Sequence, residues 1–275
     1  LHSVPDCQKI IKKAAAEALG RKYRCSWLPE DGALYQMQFA IVKDEAEVFL
    51  DTSGAPLFKR GYRPGHVAAP LRETLAAAMV GFARYRGRGV LCDPFCGSGT
   101  IAIEAALIAR NRAPGLLRTF SAQKWDGADR RVWREEAERA RALEYSGAYQ
   151  IFASDIDPKA VALSRENAKR AGVYGDIRFA VADVRAFTPP TEHGIVVTNP
   201  PYGERMLERQ QAEELYAAFG ARRDAGEDCA WNIICSHPEF ERCFGHRADK
   251  KRKLYNGMIQ CNLYMFYGKR KTEKR

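Results

Sequence analysis

Two hydrophobic rhythms divide the chain. From residue 89 onward, short apolar runs alternate with longer amphipathic ones. Gly89–Cys92, Gln150–Ser154, Ile177–Ala180, Ile195–Thr198 and Ala230–Cys235 are brief and apolar, the pattern of buried strands. Between them the spacing predicts helices from the glycine loop after Cys92 to about Arg110, then over 131–145, 158–171 and 208–224. An Asn-Gly turn lies within Leu254–Met258, and Ile259–Tyr267 reads as a long final strand. Strands alternating with helices predict a doubly wound, mostly parallel α/β sheet with an antiparallel edge.

Before residue 89 the pattern differs. Over 5–19, Ile10, Ile11, Ala14, Ala18 and Leu19 share one helical face, and Gly20 is a natural stop. Tyr35–Val42 and Ala46–Leu50 read as a hairpin turned by Lys43-Asp44-Glu45. This helix plus hairpin is too small for a complete domain and reads as the back half of one. Because the chain opens Leu1-His2-Ser3, a piece of a longer protein is expected. A loop follows at Thr52–Pro56, then basic Lys59-Arg60-Gly61-Tyr62-Arg63, then Pro/Gly-rich sequence to Pro70, which reads as a linker. Residues 71–85 form an alanine-rich amphipathic helix.

Of 275 residues, 46% are hydrophobic, enough for a proper core. No apolar run approaches the roughly 18–20 residues that span a bilayer, and no secretory leader opens the sequence. Eight cysteines are scattered without a CxxC pair. Cys243 and His246 hint at metal but lack a second pair, so ordinary reduced thiols, a cytoplasmic location and no metal are expected.

Four motifs carry chemistry, each past the end of a predicted strand. Asp93-Pro94-Phe95-Cys96-Gly97-Ser98-Gly99-Thr100 opens a helix. Its glycines admit a ligand close to the backbone. Asp93 suits a cationic group, and the Lys of a phosphate-binding loop is missing before Thr100. In Ser154-Asp155-Ile156-Asp157-Pro158, Asp155 can hold two ribose hydroxyls and Asp157 can cap the next helix. In Ala182-Asp183-Val184, Asp183 can accept from an adenine amino group. Thr198-Asn199-Pro200-Pro201-Tyr202-Gly203 offers an amide acceptor, outward carbonyls and a ring. That set suits an exocyclic amino group on a base. In an open α/β sheet the four sites converge on one crevice.

Together these motifs resemble those of S-adenosylmethionine-dependent amino methyltransferases. Thr52-Ser53-Gly54, Lys59–Arg63, Ala69–Ala76 and Arg252-Lys253-Leu254-Tyr255-Asn256-Gly257 narrow the likeness. They look like the THUMP-associated RNA guanine-N2 methyltransferases, nearest to the bacterial 23S rRNA enzymes, over nearly the whole chain. The resemblance implies a Rossmann-like class I methyltransferase domain over 71–275. Its doubly wound, mostly parallel seven-stranded sheet would carry an antiparallel C-terminal strand. Residues 52–70 would be a linker, and 1–51 a partial α+β segment, the C-terminal part of a truncated THUMP domain. Cofactor binding falls to Asp93, Pro94, Phe95, Cys96, Gly97, Gly99 and Thr100 for the methionine part, to Asp155 and Ile156 for the ribose, and to Asp183 and Val184 for the adenine. The segment Pro70–Leu75, with Thr74, would close over the cofactor. Asn199, Pro200 and Tyr202 would hold the target base, Asn199 also bordering the cofactor. A tRNA guanine-N2 enzyme, an adenine-N6 DNA methyltransferase and an RNA-binding module without catalysis are the alternatives. His193, His237 and His246 read as surface or loop residues, and Cys96 as a packed thiol.

The formal charge of +10 is concentrated: residues 242–275 hold eleven Lys/Arg against two Asp/Glu, and the first 241 are near neutral. Lys250, Lys251, Arg252 and Lys253, placed just before the final hairpin, are expected to contact RNA phosphates beside the crevice, as are Lys59, Arg60 and Arg63. Lys269-Arg270-Lys271 is expected to meet the 250–253 cluster at one end of that hairpin.

Overall fold

The computed structural model describes residues 3–63, 71–188, 194–202, 206–225 and 228–268. The elements are α1 (Val4–Tyr23), β1 (Met37–Val42), β2 (Glu45–Leu50), α2 (Glu73–Phe82), β3 (Val90–Asp93), α3 (Thr100–Ala109) and α4 (Arg130–Ala142). There follow β4 (Gln150–Asp155), α5 (Pro158–Ala171), β5 (Ile177–Val181), β6 (Ile195–Thr198), α6 (Met206–Asp224), β7 (Ala230–Cys235), α7 (Phe240–Phe244), β8 (Lys250–Asn256) and β9 (Ile259–Phe266).

The chain divides into two units, 1–54 with 120–129, and 55–119 with 130–275. In the smaller unit, Ser3 caps α1 by accepting from Asp6 N–H, and Pro5 sits in the first turn. The helix runs past Gly20 to Tyr23 and ends on Arg24 in the left-handed region. β1 and β2 form an antiparallel pair. The insertion between α3 and α4 returns to this unit. Trp125 stacks on Tyr35 at 5.0 Å and donates to the Leu34 carbonyl, while Ala122 N–H bonds Thr52 O.

In the larger unit seven strands form one sheet in the order β5-β4-β3-β6-β7-β9-β8. The first five are parallel, and β9 runs antiparallel to both β7 and β8. The expected doubly wound sheet is present, with one reversed strand, the C-terminal β9, between β7 and the edge strand β8, which runs in the same direction as the first five. The chain runs outward from β3 through β4 to β5 and then returns to β6, so order reverses between β3 and β6. A crevice opens at such a reversal, beyond the carboxyl ends of the strands. One core joins α2, α3 and α5 to the sheet, with Met79, Ile103, Ile151 and Leu263 buried. On the opposite face, Phe219, Trp231, Phe240 and Phe244 pack with α6 and α7. α5 starts and stops as its sequence dictates: Asp157 caps it from Lys159 N–H, Pro158 opens it and left-handed Gly172 closes it.

Three expectations change. Residues 55–63 are part of the larger unit, where Tyr62 is fully buried and donates to Glu104. Lys250–Lys253 does not precede the hairpin but forms the first half of β8. The turn itself shifts by one: Asn256 pairs with Ile259, so the two-residue loop is Gly257-Met258, with Gly257 at φ +66°. That loop has glycine at its first position, where positive φ is required.

Candidate active site

The crevice encloses about 1280 Å³ at the carboxyl ends of β3, β4 and β6. Of the residues expected at the cofactor, Asp93, Pro94, Phe95, Cys96, Gly97, Thr100, Asp155, Ile156, Asp183, Val184 and Asn199 all line it. Pro200 and Tyr202 line it as well.

The glycine loop is pinned from two sides. Asp155 sits at the end of β4 and accepts Gly97 N–H on one oxygen (2.9 Å) and Asp157 N–H on the other (3.0 Å). A carboxylate has about four acceptor sites, so both oxygens retain capacity for hydroxyls. From α5, Ser164 donates to Gly97 O (2.7 Å) and Asn167 to Ser98 O (2.9 Å). Gly99 does not line the crevice. It has φ +82° and a Cβ there would lie 3.0 Å from the Ser164 hydroxyl, so glycine serves the close packing of loop on helix. Cys96 is buried with its thiol 3.6 Å from Ser164 Oγ, and burial pushes its pKa far up, as befits a packed thiol.

Asp93 is 1% exposed. Its Oδ1 accepts the Thr198 hydroxyl (2.7 Å) and Phe95 N–H (3.4 Å), while Oδ2 is buried without a partner. Burial raises its pKa to about 7, against the pull of those two donors. An unpartnered buried carboxylate oxygen at the wall of a crevice fits a cationic ligand group.

Asp183 accepts Arg185 N–H (2.8 Å), which caps the turn at Val184–Ala186, and pairs with the Arg185 guanidinium (3.1 Å). The backbone bond chiefly lowers its pKa. Thr74 is exposed on α2 and does not reach the crevice, because Glu73 and Leu75 take the inward positions. Leu71 and Arg72, just before the helix, line it instead.

At the end of β6, Tyr202 donates to Asn199 Oδ1 at 2.6 Å, and Tyr216 donates to Pro201 O at 2.5 Å. Tyr202 packs against both cores, and burial raises its pKa. Its hydroxyl therefore fixes the very amide expected to receive the target amino group. Gly203, Pro70, His193 and Lys269–Lys271 lie outside the described residues.

Sequence reasoning missed the other walls: Lys159 and Leu163 from α5, Gln211 and Leu215 from α6, and Asn256 and Ile259 from the hairpin. Only the Asn256-Gly257 dipeptide carried a local signal, and it read as a turn.

The expected RNA contacts divide. Arg63 is largely covered and paired with buried Glu73, and Arg60 lies 3.5 Å from Glu104, whose side chain is 2% exposed. Both cations are spent inside the fold. Lys59 remains exposed. The 250–253 run alternates across β8, and Lys251 pairs with Glu241 at 2.7 Å. Arg252 stacks over Phe82 at 4.5 Å. Lys253 lies opposite Asn262, the partner of Cys235 at the carboxyl end of β7. Lys250 lies three residues further down the strand, roughly 10 Å away from that end. The run as a whole is thus not a patch beside the crevice.

The eight cysteines are all unpaired. Cys243 does not join His246, whose ring faces Gly220 O. Glu213, His237 and Cys243 place donor atoms within 4.8 Å of one another, a grouping from three separate elements that spacing could not reveal. Arg209 Nε lies 3.2 Å from both Glu213 and His237, so a cation already faces these acceptors. His237 follows β7 in a loop, as expected, but is buried rather than on the surface. Among the described residues no helix is long and apolar enough to cross a membrane.

Comparison with known proteins gives a consistent picture. The "Putative RNA methyltransferase YpsC" of Bacillus subtilis (strain 168) is 41% identical over all of this chain and 72% of its own length. A "Ribosomal RNA large subunit methyltransferase K/L" from Shewanella baltica (strain OS185) is 40% identical over 80% of this chain, which spans 32% of that longer protein. Two solved structures superpose over 98% of the chain. One is described as a "predicted N6-adenine-specific DNA methylase from Listeria monocytogenes" (TM-score 0.91, 40% identity, 70% of that chain). The other is "SMU.472, a putative methyltransferase complexed with SAH" (TM-score 0.89, 36% identity, 72% of that chain). The family model of the RMKL-like methyltransferase domain matches residues 60–265, the span that holds β3 to β8, all of β9 but its last residue and the whole crevice, and the chain belongs to that family.

Proposed function

We propose that this protein transfers a methyl group from S-adenosylmethionine to the exocyclic N2 amine of a guanine in RNA, and that the RNA is 23S rRNA. One observation carries the reading. An Asn-Pro-Pro-Tyr turn whose Asn199 oxygen is held by Tyr202 borders the crevice that is also lined by Asp93, whose Oδ2 is buried without a partner. The names of the B. subtilis and S. baltica relatives supply the RNA. The Listeria structure carries an adenine-N6 DNA name instead, so polymer and base must be separated by experiment.

S-adenosylmethionine supplies an already activated sulfonium methyl. The residues present fit it: Asp93 would face its ammonium, Asp155 its ribose hydroxyls and Asp183 its adenine. Asn199 Oδ1 and the Pro200 carbonyl would accept the two hydrogens of the guanine amine. That contact directs the nitrogen lone pair along the transfer line and stabilises the positive charge that develops on it. Tyr202 holds Asn199 in place and borders the base. The product ammonium is very acidic, so no strong base is required. Residues 1–51 would be the C-terminal part of a THUMP domain. Their exposed apolar side chains, Trp27, Phe49 and Leu50 among them, suit a segment that is only part of a core.

Label from methyl-tritiated cofactor should enter ribosomal RNA of a strain lacking the gene, and not its tRNA, DNA or protein. Entry into DNA alone would favour the adenine-N6 reading.

Two expectations concern the cofactor. Asp155→Ala removes the ribose contact and frees Gly97, so calorimetry should show affinity reduced by about tenfold or more. Asp93 predicts a pH dependence. Its pKa of about 7 in the folded protein lies above the roughly 3.9 of an unfolded Asp, so this group favours folding most below pH ~4 and that contribution is lost as pH rises through 7. A cationic ligand requires the ionised form. Cofactor affinity should therefore rise with pH and level off above 7, being about tenfold weaker at pH 6 than at pH 8. In Asp93→Asn the slope should vanish.

A further inference from the structure

The crevice has a second rim, opposite Asp155 and Asp183, built by the β8–β9 hairpin and the start of α2. Asn256, Gly257 and Ile259 line it together with Arg72. The residue between Gly257 and Ile259 is Met258, and it is 97% exposed. Asn256 and Ile259 are paired across the strands, so Gly257 and Met258 form the apex of the hairpin. The hairpin is anchored to the target-base turn, since the Cys261 thiol lies 3.7 Å from the Tyr202 hydroxyl. Arg72 flanks the apex. Its guanidinium stacks over Phe58 at 4.8 Å, and one terminal nitrogen lies 3.5 Å from where a Gly257 Cβ would be. Lys253 and Tyr255 are exposed on the same strand. The apex thus carries a long, flexible, apolar side chain into solvent at the mouth of the site, with cations beside it.

A side chain so placed does nothing for the fold. Scattered exposed hydrophobics need no explanation, but this one borders the place where a base must leave its stack to reach Asn199. An enzyme acting on a base within a stacked or paired strand turns the nucleotide out, and apolar wedges such as Met fill or prise open the vacated step. We propose that Met258 is that wedge: the hairpin apex enters the RNA at the target step and Met258 occupies the space left by the guanine, while Arg72 holds the adjoining phosphate. This rests on the RNA methyltransferase reading above.

The test compares two RNAs carrying the mapped target guanine, one with it paired and one with an abasic site opposite it. In Met258→Ala, kcat/KM on the paired RNA should fall roughly tenfold or more, and on the abasic-site RNA less than about twofold. Met258→Leu should restore the paired rate, and melting temperature should be unchanged in both variants. Equal losses on the two RNAs, or no loss on either, would overturn the wedge. If the unaltered protein binds S-adenosylmethionine but methylates neither RNA, the RNA reading fails and the wedge with it.

Discussion

Asn199→Ala is expected to lower the maximal rate of methyl transfer by about 10²–10³-fold, the effect of removing one preorganised partner from a developing charge. Affinity for S-adenosylmethionine should stay within about twofold, because Asp93, Asp155 and the loop they hold are untouched. The reasoning is geometric. Asn199 Oδ1 is already fixed at 2.6 Å by Tyr202, and the following turn is fixed by Tyr216 on Pro201 O. An acceptor so held needs no reorganisation when the amine arrives. Its loss therefore falls on the reacting state more than on ground-state binding, and kcat should drop more than KM rises. Turnover within a fewfold of the unaltered protein would remove Asn199 from the chemistry.

Arg63→Ala should cause the largest loss of stability. The Arg63 side chain is 10% exposed and its partner Glu73 only 3%. Arg63 also donates to Leu71 O and to the Thr100 hydroxyl at 3.3 Å, tying the segment before α2 to the start of α3. Removing it leaves a buried carboxylate uncompensated, a loss of about 3–5 kcal/mol. For a unit of this size that corresponds to a fall in melting temperature of roughly 6–20 °C. Lys59→Ala, at an exposed position nearby, should change stability by less than about 0.5 kcal/mol. Calorimetric melting of the two variants decides the matter. An unchanged melting temperature for Arg63→Ala, with weaker RNA binding, would return this arginine to the RNA-contact role its sequence neighbourhood suggests.

That contrast marks where sequence patterns stop informing. The strand and helix order from β3 to β7, and β9, followed from local periodicity, whereas the short α7 and the first half of β8 did not; the crevice residues at 93–100, 155, 183 and 199–202 followed from motifs at successive strand ends. These signals are contained within a few residues. The fate of Arg60 and Arg63 was not, because Glu104 and Glu73 are buried partners brought in by the fold. A basic run in a supposed linker looks the same whether it faces solvent or a carboxylate. Lys250–Lys253 misled for another reason: in an extended strand four consecutive cations point to both faces, so adjacency in sequence is not a patch in space. The Asn256-Gly257 pair signalled a hairpin, yet pairing across β8 and β9 moved the loop to Gly257-Met258 and put Met258 at its apex. Thr74 and Gly99 belonged to the right motifs but face away from the crevice, which only the helix phase and the contact with Ser164 reveal.

The central claim is that the Asn199 turn presents a guanine amine to the sulfonium methyl. Its most direct test is the chemical identity of the methylated nucleoside. RNA from a strain lacking the gene should be treated with the protein and labelled S-adenosylmethionine, digested to nucleosides and resolved by mass spectrometry. The label should appear in N2-methylguanosine, at one position of the large ribosomal RNA, and disappear with Asn199→Ala. Label in N6-methyladenosine, or in a nucleoside methylated on ring carbon, would contradict it.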